Sequence, residues 1–150
     1  VFHKSVFETS GIFDPKIKIS EDTDLWIRIG LNYSILFSWK ILARYVYDPN
    51  SISRNLNYIM KESTFLKYNS QEKENKLLKK FLDINRFSAA IKSKLNGDIS
   101  TFKKYSNDIL PSNIGLKKQF LLILPSSILR KLIFLKTFLT TIGLGNSIFK

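Results

Sequence analysis

One stretch limits the fold more than any other. Ile19-Ser20-Glu21-Asp22-Thr23-Asp24-Leu25-Trp26-Ile27-Arg28-Ile29 gathers three carboxylates at a single helix start, with an indole and a guanidinium just behind them. Ser20 has the hydroxyl to cap the helix, while Glu21, Asp22 and Asp24 fill the first turn, where the helix dipole favours negative charge. Leu25, Trp26 and Ile29 then predict an apolar stripe, and Gly30 is placed to end the helix. Taken alone, the segment reads as the acidic first turn of an ordinary buried helix.

Its neighbours add a second reading. Phe2-His3-Lys4-Ser5-Val6-Phe7 and Gly11-Ile12-Phe13-Asp14 stand upstream, and Tyr45-Val46-Tyr47-Asp48-Pro49-Asn50-Ser51-Ile52-Ser53 stands downstream. In this order the segments resemble the C-terminal part of the catalytic domain of family 2 glycosyltransferases, over roughly residues 1 to 58. The most specific piece is Glu21-Asp22-Thr23-Asp24-Leu25-Trp26-Ile27-Arg28. The resemblance implies an α/β fold, the end of an A-type, Rossmann-like glycosyltransferase domain. It also implies inverting transfer of a sugar from a nucleotide-sugar donor to a glycan or lipid-linked acceptor in bacterial cell-surface polysaccharide synthesis.

In that family the second acid of the Glu-Asp pair is the general base beside the acceptor hydroxyl, and the matching residue is Asp22. The hydroxyl must lose its proton as it attacks the anomeric carbon, and a positioned carboxylate contributes about 10²–10⁴-fold. Glu21 either orients that base or binds the acceptor, and Asp24 binds the acceptor or completes the cap. Trp26 can stack on a sugar ring or fill core space, the core being the first reading. Arg28 lies four residues after Asp24, which suits an intrahelical ion pair; contact with a donor phosphate is the second reading.

The family's donor side lies in a preceding half, with nucleotide-binding strands and an Asp-x-Asp motif for Mg²⁺ or Mn²⁺. This chain starts at Val1, and its first residues match the middle of the resembled domain. The expectation is therefore a divalent cation held mainly by residues outside the chain, and no transferase activity from these 150 residues alone. Asp22-Thr23-Asp24 spells Asp-x-Asp but sits within a helix start instead of following an apolar strand, so it is not read as the metal motif.

Ile41-Leu42-Ala43-Arg44-Tyr45-Val46-Tyr47 has the β-branched and aromatic content of a strand, and Pro49-Asn50-Ser51 a turn. Here the chain departs from the family's Tyr-Arg-x-His pattern, with Val46 at the Arg place and Asp48 at the His place. Asp48 offers an oxygen ligand suited to a hard cation. Its preferred reading is a turn residue before Pro49. His3, the only histidine, is expected at the surface or in packing, and Lys4 in solvent.

Beyond residue 58 the pattern turns helical. Leu77, Leu78, Phe81, Leu82, Ile84, Phe87, Ile91 and Leu95 follow a helical period; Asn96-Gly97-Asp98 breaks it, and Phe102, Tyr105 and Ile109 give the next helix its apolar face. Residues 59–112 thus read as a helical accessory hairpin, and 113–150 as a basic amphipathic tail in which Pro125 and Ser127 suit a new helix start. Ile128, Leu132, Leu135, Leu139 and Ile142 gather on one side of that helix. Lys117, Lys118, Arg130, Lys131 and Lys136 interrupt every apolar run before the ~20 residues needed to span a bilayer.

Residues 1–58 hold seven basic and six acidic residues, a net of +1, whereas the remainder holds 17 and six, a net of +11. A polybasic surface beside an apolar helix face suits an anionic membrane. Compositional bias ranks second as the source of that charge and nucleic acid last, since no nucleic-acid motif is present. With no Cys in the chain, the expected setting is a reducing one: the cytoplasmic face of the membrane, with the protein bound peripherally. The alternative from another class is a noncatalytic basic helical module that binds anionic membrane or nucleic acid.

Overall fold

The computed structural model describes residues 2–17, 19–44, 46, 48 and 62–141. Among them every regular element is a helix: α1 (Val6–Ser10), α2 (Glu21–Asn32), α3 (Glu62–Leu66), α4 (Asn69–Glu74), α5 (Lys76–Asn96), α6 (Ile99–Asp108), a 3₁₀ turn (Pro111–Asn113), α7 (Leu116–Ile123) and α8 (Ser126–Thr141). The chain divides into two compact units, Val1–Leu78 and Lys79–Lys150.

The α/β, Rossmann-like expectation is therefore corrected, since no strand occurs among the described residues. Ile41–Arg44 and Val46 are irregular and exposed, Ile41 at 95%. β-branched content makes a strand only where a neighbour pairs the backbone and covers the side chains, and among the described residues these have neither. Tyr45, Tyr47 and the Pro49-Asn50-Ser51 turn lie outside the described residues, as do residue 58 and Ile142. Phe2-His3-Lys4-Ser5, matched to the end of a strand, instead leads into α1, with Val6 N–H donating to the His3 carbonyl at 3.1 Å.

In the first unit α1 packs on α2 through Val6, Leu25 and Ile29, with Phe7 against them. Two details of α2 differ from expectation. Ser20 precedes the helix in the left-handed region (φ 65°) and its side chain makes no capping bond; its carbonyl accepts from Asp24 N–H at 3.1 Å. The helix passes through Gly30 and ends at Asn32, because Gly30 keeps ordinary helical hydrogen bonding and a glycine terminates a helix only where φ turns positive.

In the second unit the expected hairpin is present. α5 ends at Asn96, Gly97 takes φ 81°, and Asp98 caps α6 by accepting from Thr101 N–H at 3.0 Å. Leu82, Ala89, Ala90 and Leu95 are buried from α5, and Tyr105 and Ile109 from the α6 side. The organising polar group is Asp83. Its carboxylate is fully buried and accepts from Lys79 Nζ (2.6 Å), Arg86 Nη1 (3.1 Å), Leu110 N–H (3.1 Å) and Asn113 Nδ2 (2.7 Å). One carboxylate thus ties α5 to the 3₁₀ turn. No described helix is long and apolar enough to cross a membrane.

Candidate functional site

The acidic start of α2 sorts its residues into an inner and an outer set. Asp24 points inward and is fully buried. It accepts from Arg28 Nε (2.9 Å), Lys67 Nζ (2.7 Å) and the Tyr68 hydroxyl (2.5 Å). Burial by itself pushes the Asp24 carboxyl up, but the hydrogen bonds from Lys67, Tyr68 and Arg28 outweigh it and hold the group below the usual carboxylate range. The same contact raises the Tyr68 phenol, through burial first and the Asp24 carboxylate second. Asp24 is thereby committed to holding α2 in place and is not presented to an acceptor.

Arg28 belongs to the same inner set. Beyond Asp24, its guanidinium donates to the Ser10 carbonyl and, at 2.7 Å, to the Ile12 carbonyl. The Gly11 backbone between those two carbonyls has φ 70°, and a Cβ there would lie 3.0 Å from Arg28 Nη1. Glycine is thus required by conformation, and a Cβ would also press on the Arg28 guanidinium. The ion pair read from the four-residue spacing is present, and the donors a phosphate would need are turned to the protein's own backbone.

The outer set is Glu21, Asp22 and Trp26. Glu21 and Asp22 are exposed; Asp22 Oδ1 accepts from Thr23 N–H at 2.7 Å and from the Thr23 hydroxyl at 3.3 Å. Trp26 follows Asp22 by one helical turn, which puts the two on one face of α2. The first reading of Trp26 as core is corrected: the indole keeps 51% of its surface exposed, because Leu25, Ile27 and Ile29 fill the interior instead. Phe2 meets it edge to face at 6.0 Å and meets Phe7 at 5.3 Å, so the ring is oriented without being covered. An exposed carboxylate beside an oriented, half-open indole can accept from a sugar hydroxyl while the ring stacks on the sugar's C–H face.

Asp48 is exposed in an irregular segment. Among the described residues no group of three or more His, Cys, Asp or Glu could hold a metal ion. Asp24 is already paired to Arg28 and Lys67 and is not open to a metal ion. His3 is exposed, its Nδ1 3.0 Å from Ser5 Oγ.

Sequence reasoning missed Lys67, Tyr68 and Phe2. The first two meet Asp24 across more than forty residues, and no local spacing encodes such a contact. Phe2 is placed by the turn into α1.

No protein family, curated protein or solved structure matches the chain.

Proposed function

We propose that this chain is the acceptor-side part of an inverting glycosyltransferase that moves a sugar from a nucleotide-sugar donor to a glycan or lipid-linked acceptor of the cell surface. The observation that carries the reading is the pairing of Asp22 and Trp26 on the open face of α2, with Asp24 and Arg28 fixing that helix from behind. The sequence resemblance places the general base at Asp22, and an exposed carboxylate beside an indole suits that task. The reading rests on α2 and its neighbours, not on a sheet.

In this account Asp22 takes the acceptor hydroxyl proton as the oxygen attacks the anomeric carbon. Trp26 holds the acceptor ring, and Glu21 sits at the rim as a further hydroxyl partner. The donor diphosphate and its metal are bound by residues outside this chain, so the chain binds acceptors without turning them over.

Saturation-transfer NMR with a panel of oligosaccharides tests the binding step on the 150-residue chain itself. The expected result is saturation of pyranose C–H protons that disappears with Trp26→Ala and is weakened by Asp22→Ala. Equal signals from the chain and from Trp26→Ala contradict the assignment.

A further inference from the structure

From Ile109 to Lys150 the chain contains no acidic residue, while it carries Lys117, Lys118, Arg130, Lys131, Lys136 and Lys150. The same region leaves its large apolar side chains open. On α8 only Leu129 is buried among the large apolar residues from 128 to 138; Ile128, Leu132, Ile133, Phe134, Leu135 and Phe138 are all exposed, Phe134 at 75%. Ile128, Leu132, Leu135 and Phe138 follow one another at helical spacing, and Phe134 lies one turn before Phe138. These side chains form a continuous outward face. α7 repeats the pattern on a smaller scale with Leu116, Phe120 and Ile123 exposed at spacings of four and three.

Arg130 donates to the Leu95 carbonyl, which fastens the start of α8 to the end of α5, and Lys118 Nζ stands 5.5 Å from the centre of the Phe87 ring. Lys117 on α7 and Lys131 and Lys136 on α8 are exposed. Lys131 rises from within the arc, where a four-carbon stem can lie along apolar surface and deliver its ammonium to a phosphate layer.

We propose that the outward face of α8 docks in the plane of a bilayer containing anionic phospholipid, with Phe134 and Phe138 at the acyl boundary and Lys117, Lys131 and Lys136 at the headgroup phosphates. Charge complementarity selects this occupant. A soluble apolar partner gives no reason for a basic, acid-free surround, and a nucleic acid gives none for five exposed aliphatic and aromatic side chains along one helix face. The helix lies on the membrane and does not cross it, in keeping with its lysines. This inference is independent of the glycosyltransferase reading.

Co-sedimentation of the 150-residue chain with vesicles tests it. Binding is expected to vesicles of equimolar phosphatidylcholine and phosphatidylglycerol, and to be lost on pure phosphatidylcholine. Phe134→Ser with Phe138→Ser abolishes binding to the anionic vesicles with helix content unchanged by circular dichroism, both rings being exposed. Lys117→Gln, Lys131→Gln and Lys136→Gln together weaken it about a hundredfold, near fivefold for each cation. Three results overturn the proposal: undiminished binding by the Phe double variant, displacement of the chain from vesicles by single-stranded RNA that binds the Phe variant equally well, or self-association in sedimentation velocity without vesicle binding.

Discussion

The Tyr68 hydroxyl donates to the Asp24 carboxylate at 2.5 Å, joining the first turn of α2 to the segment between α3 and α4. Lys67 reaches the same oxygen from the neighbouring position at 2.7 Å. Two consecutive residues thus hold the helix that carries Asp22 and Trp26.

Breaking this anchor should loosen the first unit. Asp24→Ala strands the Arg28, Lys67 and Tyr68 donors, and a loss of about 3 kcal/mol is expected, the low end for a broken buried pair because Lys67 keeps some contact with water. Tyr68→Phe removes one hydrogen bond to a charged group, at about 2 kcal/mol. Urea unfolding followed by Trp fluorescence checks both; a change within error for Asp24→Ala contradicts the anchoring role.

The anchor also fixes the direction of a pH effect. Asp24 is lowered in the folded chain from an ordinary value of 3.8, so ionised Asp24 favours folding. That contribution is complete above the unfolded value and is lost as pH falls below about 4 toward the folded value. Tyr68 is shifted the opposite way, so its contribution is complete below the ordinary 10.0 and is lost at higher pH. Asp98, lowered by hydrogen bonds from Thr101 and Ser100, shares the acid limb. Subtracting the unfolding profile of Asp24→Asn from that of the parent isolates the Asp24 part, which should fall on the acid side as Asp24 protonates and again on the alkaline side, where the Tyr68 phenol ionises against the Asp24 carboxylate.

Gly11 tests the packing between α1 and α2. Its backbone, φ 70° and ψ −176°, belongs to a region used almost solely by glycine. Gly11→Ala adds a Cβ 3.0 Å from Arg28 Nη1 and is expected to cost about 1–3 kcal/mol by thermal unfolding. Gly30→Ala is the contrast: the nearest atom to its Cβ is Ile35 Cδ1 at 3.6 Å and its φ is negative, so that substitution is expected to stabilise α2 by about 0.5–1 kcal/mol.

In the second unit the corresponding anchor is Asp83. Asp83→Ala leaves Lys79 and the buried Arg86 without their carboxylate and frees Leu110 N–H and Asn113, a loss of about 3–5 kcal/mol. Amide exchange should quicken first at Leu110 and through the 3₁₀ turn; uniform exchange across the unit contradicts a local role.

What was legible in the sequence was local. The α5–α6 hairpin, its Gly97 break and its Asp98 cap follow from spacing and cap chemistry within a few residues, as does the Arg28–Asp24 pair. The strand at 41–47 and the core place for Trp26 failed because both depend on what lies across from them. Among the described residues Ile41 meets no neighbouring strand, and Trp26 lost the interior to Ile27, whose position in the stripe differs by one residue. The Asp24 and Asp83 hubs draw partners from 27 to 44 residues away, and those contacts exist only once the helices pack.

Whether Asp22 is the general base is decided by sugar transfer from the polypeptide encoded by the whole open reading frame around this chain, compared with its Asp22→Asn variant at equal nucleotide-sugar binding. Turnover by Asp22→Asn is expected to be lower by about 10²–10⁴-fold with the fold intact. Unchanged turnover, or a full-length product without a nucleotide-binding half, contradicts that role.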